Sequence, residues 1–121
     1  MSKHILHVDD EPDIRELLQA ALSAAGYRVT PVGTALEALK VADTDRPDLI
    51  IADMQLADRD GLELIRELKQ KHATIPVIML TGVLIDPRVA KKSLGGLVDV
   101  YLQKTTPLAR IKGEIERLLK G

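Results

Sequence analysis

Residues 49–53 of this chain read Leu-Ile-Ile-Ala-Asp, four consecutive apolar residues that end on an acid. An apolar run without alternation is typical of a parallel strand that helices cover on both faces. Three further segments are largely apolar, the last of them by alternation of Val98, Val100 and Leu102, and each leads into a polar residue that can bind or react. They are residues 5–8 before Asp9 and Asp10, residues 77–80 before Thr81, and residues 98–102 before Lys104. The four runs predict parallel strands with polar residues at their carboxyl ends.

The segments between these runs have the spacing of amphipathic helices. After Pro12, which the first turn of a helix tolerates, apolar residues recur at helical spacing at Ile14, Leu17, Leu18, Ala21, Leu22 and Ala25. Thr34 with Glu37 predicts a capping box, and the second helix then carries Leu36, Leu39 and Ala42. Further helices are predicted from Gly61, at residues 86–94 with the weakest periodicity, and at residues 108–119.

The order of these elements predicts an α/β fold. Five βα units with short connections favour a doubly wound parallel sheet with five flanking helices. Pro31 lies in the second predicted strand, and proline is confined to edge strands, which agrees with the flavodoxin-like order 2-1-3-4-5. At 121 residues we expect one domain over residues 1–121, with no room for an output domain.

Composition argues against several classes of protein. The net charge is −1, and two tyrosines are the only aromatic residues, so neither a basic surface nor stacking platforms for nucleic acid are expected. No apolar stretch approaches the roughly 20 residues that span a bilayer. Cysteine is absent, which fits a reducing compartment. We therefore expect a cytoplasmic protein that binds neither nucleic acid nor membrane.

Polar residues at the strand ends predict one site. The carboxyl ends of parallel strands meet at one edge of the sheet, so Asp9, Asp10 and Asp53 should lie close together. Crowded carboxylates repel one another unless a cation offsets them, and oxygen ligands without cysteine or histidine favour Mg²⁺ or Mn²⁺. Asp53 is a candidate nucleophile toward phosphorus. Lys104 and Thr81 could neutralise and hydrogen-bond phosphoryl oxygens.

Four short motifs carry a family resemblance. In order they are Val8-Asp9-Asp10-Glu11, the stretch Asp53-Met54-Gln55-Leu56-Ala57-Asp58-Arg59-Asp60-Gly61, then Thr81-Gly82, and finally Tyr101-Leu102-Gln103-Lys104. Each motif alone is unspecific, but four in this order on five βα units resemble the receiver domain of two-component response regulators, of the chemotaxis-regulator kind. The resemblance covers essentially the whole chain.

The resemblance implies a phosphorylation site. Asp53 would take a phosphoryl group from a histidine kinase or a phosphotransfer protein. Asp9, Asp10 and Asp53 would hold Mg²⁺, Asp10 directly, with the backbone carbonyl of Gln55 as a further ligand. Thr81 and Lys104 would bind the phosphoryl oxygens.

The resemblance also implies a switch rather than an enzyme that turns over a metabolite. Tyr101 matches the aromatic residue that turns inward when Thr81 moves toward the phosphate. Such a change shifts a population between conformations that already exist. The face formed by the fourth predicted helix, the fifth strand and the last helix would then bind an unknown downstream protein. We expect a monomer or a weak dimer.

The chain departs from the family at two loops. Lys104 is followed by Thr105-Thr106 rather than by proline, and Pro107 comes two positions late. Leu56-Ala57 replaces the usual Met-Pro after the phosphorylated aspartate. A loop without that proline ring is less restrained.

Two other functions use a similar fold or chemistry. A small-molecule phosphatase can also form an aspartyl phosphate, but its haloacid-dehalogenase-like version needs a D-x-D pair after the first strand. A flavin or nucleotide carrier needs a glycine-rich or hydroxyl-rich loop there to hold phosphate. Asp9-Asp10-Glu11-Pro12 is acidic instead and would repel phosphate. Turnover of a phosphate ester and a flavin absorbance spectrum would distinguish these alternatives.

Overall fold

A computed structural model of the chain describes residues 2–82, 88 and 96–120. Its elements in order are β1 His4–Val8, α1 Pro12–Ala24, β2 Arg28–Val32, α2 Ala35–Thr44, β3 Leu49–Ala52, α3 Gly61–Lys71, β4 Val77–Thr81, β5 Val100–Gln103 and α4 Leu108–Lys120. The described part of the chain thus has four helices, and none of them has the length and apolarity needed to cross a membrane. The helix predicted at residues 86–94 lies, apart from Arg88, outside the described residues.

The five strands form one parallel sheet in the order β2-β1-β3-β4-β5, which confirms the predicted topology. Pro31 lies on the edge strand β2, opposite His7 of β1. Proline is tolerated there because an edge strand pairs on one side only, so not every N–H group of the strand has to donate a hydrogen bond within the sheet. Helix α1 ends before Gly26, whose φ of 97° is a left-handed conformation that favours glycine.

Helices cover both faces of the sheet, so each face has its own hydrophobic core. Alternate residues of each strand point to opposite faces. One cluster joins Leu6 and Val8 to the buried side chains of α2 and α3. The other joins Ile5 and Ile51 to buried residues of α1 and α4, namely Leu18, Leu22, Ile111 and Ile115. Burial on both faces explains the unbroken apolar runs in the sequence.

Two leucines that we predicted on the buried sides of helices are exposed. Leu17 of α1 is 51% exposed and Leu36 of α2 is 54% exposed. Helix α2 instead buries its three alanines Ala35, Ala38 and Ala42. Small side chains allow this helix to approach the sheet closely, and this rotates the larger Leu36 toward solvent. The prediction for Leu36 was wrong because helical spacing alone fitted either side of the helix.

Candidate functional site

Backbone hydrogen bonds beyond the strand ends bring the predicted site residues together. The N–H group of Asp53 donates to the carbonyl of Val8 at 3.0 Å, so Asp53 continues the β1–β3 ladder beside Asp9. The N–H group of Lys104 donates to the carbonyl of Thr81 at 2.9 Å in the same way, beyond β4 and β5. The predicted convergence at the carboxyl edge of the sheet is therefore present.

Three carboxylates form the acidic part of the site. One oxygen each from Asp9, Asp10 and Asp53 lies within 4.8 Å of the others, and this is the one group of three or more acidic or metal-binding side chains found in the described part of the chain. Asp9 and Asp53 are buried, whereas Asp10 is exposed. A hard divalent cation suits such a set because it accepts several carboxylate oxygens and can keep water ligands on the open side.

Lys104 forms ion pairs with three acids at once. Its Nζ lies 2.9 Å from Oδ2 of Asp53, 3.0 Å from Oδ2 of Asp9 and 2.8 Å from Oε1 of Glu11, and its side chain is 12% exposed. Burial acts to lower the pKa of Lys104, but the ion pairs with Asp53, Glu11 and Asp9 outweigh it and raise that pKa. Lys104 therefore carries its positive charge throughout the neutral range.

The surroundings of Asp9 disfavour its negative charge. Burial raises the pKa of Asp9, and the negative charge of Asp53 adds to that effect. The N–H group of Glu11, which donates to Oδ1 of Asp9 at 2.9 Å, and Lys104 oppose the rise without cancelling it. The ionised form of Asp9 thus destabilises the metal-free fold at neutral pH.

Replacing Asp9 with asparagine is expected to stabilise the metal-free chain, because the amide removes a carboxylate charge that burial and the neighbouring charge of Asp53 disfavour. Because the folded-state pKa of Asp9 is raised, the penalty is present above that pKa and disappears as the pH falls toward about 3.9, its unfolded value. Urea unfolding with a chelator, at neutral and at mildly acidic pH, measures this difference.

Asp43→Asn is the control for Asp9→Asn. Its hydrogen bonds with Lys71 and His72 lower the pKa of Asp43, so losing that charge should destabilise the chain slightly rather than stabilise it. If Asp9→Asn shifted stability in the same direction as Asp43→Asn, the assigned balance of charge at Asp9 would be wrong.

A cleft opens above the charged residues. Its volume is about 460 Å³, and it is lined by Asp10, Glu11, Asp53, Gln55, Leu56, Thr81, Gly82 and Lys104. Five of the seven predicted site residues line it; Asp9 lies beneath as a buried partner of Lys104. The cleft places a hydroxyl, an ammonium and three carboxylates around one space, which can accommodate a small tetrahedral anion with a divalent cation.

Close backbone packing holds the loop between β3 and α3 against Asp53. The N–H group of Gly61 donates to the carbonyl of Met54 at 2.7 Å. A Cβ on Gly61 would collide with the carbonyl oxygen of Asp53 and approach the Asp53 carbonyl carbon and the Met54 Cα to 3.0 Å. Glycine at this position therefore allows the start of α3 to lie directly against the backbone of Asp53.

Tyr101 lies two strands away from Asp53, because β4 separates its strand from β3. It is on β5, opposite Met79 of β4, and its partly buried ring packs against the core under α2 and α3. Burial raises the pKa of Tyr101, and the charge of Asp53 adds to the effect. Its position near the site is compatible with the predicted switch, which stays a prediction.

Three residues at the site had no assigned chemistry in the sequence. Glu11 was quoted as part of the first motif without a role, and it forms an ion pair with Lys104. The Nη1 group of Arg15 donates to the carbonyl of Asp9 at 2.6 Å. His7 is buried, and burial together with the charges of Lys104 and Arg15 lowers the pKa of His7 to about 4. Glu11 and Arg15 are four positions apart, about one helical turn. This spacing could have predicted that both side chains lie on the same side of the helix.

Comparisons with known proteins agree with this geometry. Residues 5–116 match the family model described as response regulator receiver domain. The chain is 46% identical over 121 residues to the alkaline phosphatase synthesis transcriptional regulatory protein PhoP of Bacillus subtilis, covering 99% of this chain and 50% of that protein. It is 36% identical to the response regulator MprA of Mycobacterium ulcerans, covering 99% of this chain and 51% of that protein.

Solved structures show the same fold. The response regulator TrrA of Thermotoga maritima, crystallised in complex with Mg²⁺ and BeF, matches with a TM-score of 0.86 at 32% identity, covering 97% of this chain and 99% of that one. The chemotaxis protein CheY4 of Vibrio cholerae matches with a TM-score of 0.88 at 27% identity, covering 98% of this chain and 100% of that one. The chain spans about half the length of the curated relatives it matches.

Proposed function

This chain belongs to the response regulator receiver domain family of two-component signalling, and on that premise we propose that Asp53 accepts a phosphoryl group from a histidine kinase or a phosphotransfer protein. The observation that supports this most is the pairing of the buried Asp53 with Lys104, at 2.9 Å, at the floor of a cleft that Thr81 also lines. A carboxylate can act as the nucleophile in phosphoryl transfer, and a cation and a hydroxyl donor can stabilise the charge on the phosphoryl oxygens.

The proposed step forms one bond and breaks one. An oxygen of the Asp53 carboxylate attacks the phosphorus atom of the donor, and a P–O bond forms as the donor's P–N bond breaks. The electron pair of the broken bond stays on the imidazole nitrogen of the donor, which takes up a proton. Lys104 exchanges carboxylate oxygens for phosphoryl oxygens as ion-pair partners, and the Thr81 hydroxyl donates to another phosphoryl oxygen.

Asp9, Asp10 and Asp53, with the backbone carbonyl of Gln55, would hold Mg²⁺ or Mn²⁺. The fit rests on the three carboxylates within 4.8 Å and on the position of Gln55 at the wall of the cleft. When bound, such a cation supplies positive charge that offsets the carboxylates and the phosphoryl oxygens. Asp9, which is buried beneath the cleft, would orient the direct ligands.

We further propose that the chain acts as one signalling unit rather than as an enzyme on a metabolite. Phosphorylation adds negative charge beside Lys104 and Thr81 and so favours one of two conformations. The proposed partner of that conformation is a protein that binds the face around β5 and α4, with Tyr101 as the switch residue. A small-molecule phosphatase is the alternative, and no observation at the site favours it.

Intact mass measured after incubation with Mg²⁺ and a small acyl phosphate tests this function. We expect the wild-type chain to gain the mass of one phosphoryl group, and Asp53→Asn to gain none, because the amide is not a nucleophile toward phosphorus. A chelator should prevent the gain in the wild type. Asp60→Asn is the matched control, because Asp60 is an acid of the same loop that caps α3; it should be phosphorylated like the wild type.

Two results would contradict the proposal. One is phosphorylation of Asp53→Asn to the same extent as the wild type, which would place the acceptor elsewhere. The other is a wild-type chain that neither gains mass nor binds beryllium fluoride with Mg²⁺. Steady hydrolysis of a phosphate ester, with many turnovers for each chain, would favour the phosphatase instead.

A further inference from the structure

The loop after Asp53 is anchored to a distant helix. Asp58, in the middle of this loop, accepts hydrogen bonds from two backbone N–H groups at the start of α2: Ala35 donates to Oδ1 at 2.9 Å and Leu36 donates to Oδ2 at 3.1 Å. Asp58 does not line the cleft, so it has no direct contact with the space for metal and phosphate. The bonds with Ala35 and Leu36 lower the pKa of Asp58, so the anchor is ionised at neutral pH.

The start of α2 has two caps with different origins. Thr34 caps the helix locally, because its hydroxyl oxygen accepts from the N–H group of Glu37 at 3.2 Å. Asp58 satisfies the N–H groups of Ala35 and Leu36, which would otherwise have no partner within the helix. Both caps stabilise the helix, but Asp58 alone connects it to the loop that follows Asp53. This difference allows the two roles to be separated by mutation.

Within the loop, the backbone transmits the anchor to the cleft. Gln55 and Asp60 form an isolated antiparallel bridge, and the N–H group of Leu56 donates to the carbonyl of Arg59 at 3.2 Å. The loop is therefore a small hairpin with Asp58 near its tip and Gln55 at its base. Leu56-Ala57 contains no proline to restrict the backbone, so the contact of Asp58 with α2 adds a restraint that these two residues do not supply.

We propose that Asp58 is a positioning residue for the metal site. By holding the tip of the hairpin against α2, it fixes the backbone carbonyl of Gln55 at the wall of the cleft. The inference rests on the proposed function, in which that carbonyl is a ligand of the divalent cation. Asp58, an exposed acid outside the cleft, would thus influence the affinity for the metal ion.

A Mn²⁺ titration, monitored through the electron paramagnetic resonance signal of the free ion, tests the proposal. It compares the wild type with Asp58→Ala, Asp58→Asn and Thr34→Ala. We expect the Mn²⁺ affinity of Asp58→Ala to fall about fivefold, the lower end of typical coupling between two sites. Asp58→Asn keeps one acceptor oxygen and should recover part of the loss. Thr34→Ala removes the other cap of α2 and should bind Mn²⁺ like the wild type.

Phosphorylation kinetics give a second readout. In Asp58→Ala the Mg²⁺ concentration for half-maximal phosphorylation should rise about fivefold as well, while the rate at saturating Mg²⁺ stays that of the wild type. Thermal unfolding should show similar, small losses for Asp58→Ala and Thr34→Ala, since each removes one cap of the same helix. Affinity and stability are thereby measured independently.

The outcomes separate this inference from the proposed function. Equal Mn²⁺ affinity in Asp58→Ala and the wild type overturns the inference alone. So does an equal loss of affinity in Asp58→Ala and Thr34→Ala, because the cause would then be the stability of α2. A wild-type chain that binds no Mn²⁺ overturns the proposed metal site and this inference together.

Discussion

The variant Gly61→Ala is expected to lose about 3 kcal/mol of unfolding free energy, at the upper end of the usual cost of overpacking, and most of its capacity for phosphorylation. The added methyl group meets the backbone carbonyl of Asp53, and backbone cannot rotate away as a flexible side chain can. Either α3 moves outward or Asp53 shifts from its contact with Lys104. Urea unfolding and intact mass after acyl phosphate treatment measure the two effects.

Gly113→Ala is the matched control for this prediction. Gly113 lies inside helix α4, and a Cβ added there has no neighbouring atom within 4 Å. Alanine has the higher helix propensity, so this variant should gain about 0.5–1 kcal/mol and be phosphorylated normally. Equal stability of Gly61→Ala and the wild type would show that α3 does not lie as close to Asp53 as the structure places it.

The sheet and the convergence of the site were predictable because they depend on local and topological rules. The buried parallel strands are mostly apolar, as residues 49–52 illustrate, and the polar residue after such a strand must lie at the common carboxyl edge. Pro31 identified its strand as an edge strand, because proline has no N–H group to donate a hydrogen bond within a sheet. For this reason Asp9, Asp53, Thr81 and Lys104 could be grouped before any distance was known.

Side-chain contacts between loops were not predictable in this way. Helical spacing allowed Leu36 to be placed on the buried side of α2, because close packing of Ala35, Ala38 and Ala42 depends on the distance between helix and sheet. The contact of Asp58 with Ala35 spans 23 positions in sequence and depends on how a hairpin lies against a helix. No periodicity encodes such a contact, and an acid in a loop is usually only solvated.

Replacing Lys104 with methionine is expected to destabilise the metal-free chain by roughly 3 kcal/mol, because removing one partner of a buried ion pair leaves the other charge uncompensated. The side chains of Asp9 and Asp53 are only 1% and 7% exposed, so water cannot replace the lysine fully. Mg²⁺ should restore most of the loss, since the cation offsets the same carboxylates. Thermal unfolding with a chelator and with Mg²⁺ measures both effects.

The pH dependence identifies the cause of that loss. The raised pKa of Lys104 means that the lysine contributes fully below about 10.4 and is lost only above it. Between about pH 5 and 8, a change in the stability difference therefore comes from the groups around the lysine, which are the acids and His7, whose pKa Lys104 helps to lower. Without Lys104 the pKa of Asp9 should rise further, and protonation of Asp9 should then restore stability as the pH falls.

Lys40→Met, at an exposed position of α2, is the control and should show neither the loss of stability nor its recovery. Lys104 is the ion-pair partner of both Asp9 and Asp53 among the described residues. If Lys104→Met were as stable as Lys40→Met at neutral pH with a chelator, the lysine would not be the group that offsets the charges of these buried carboxylates.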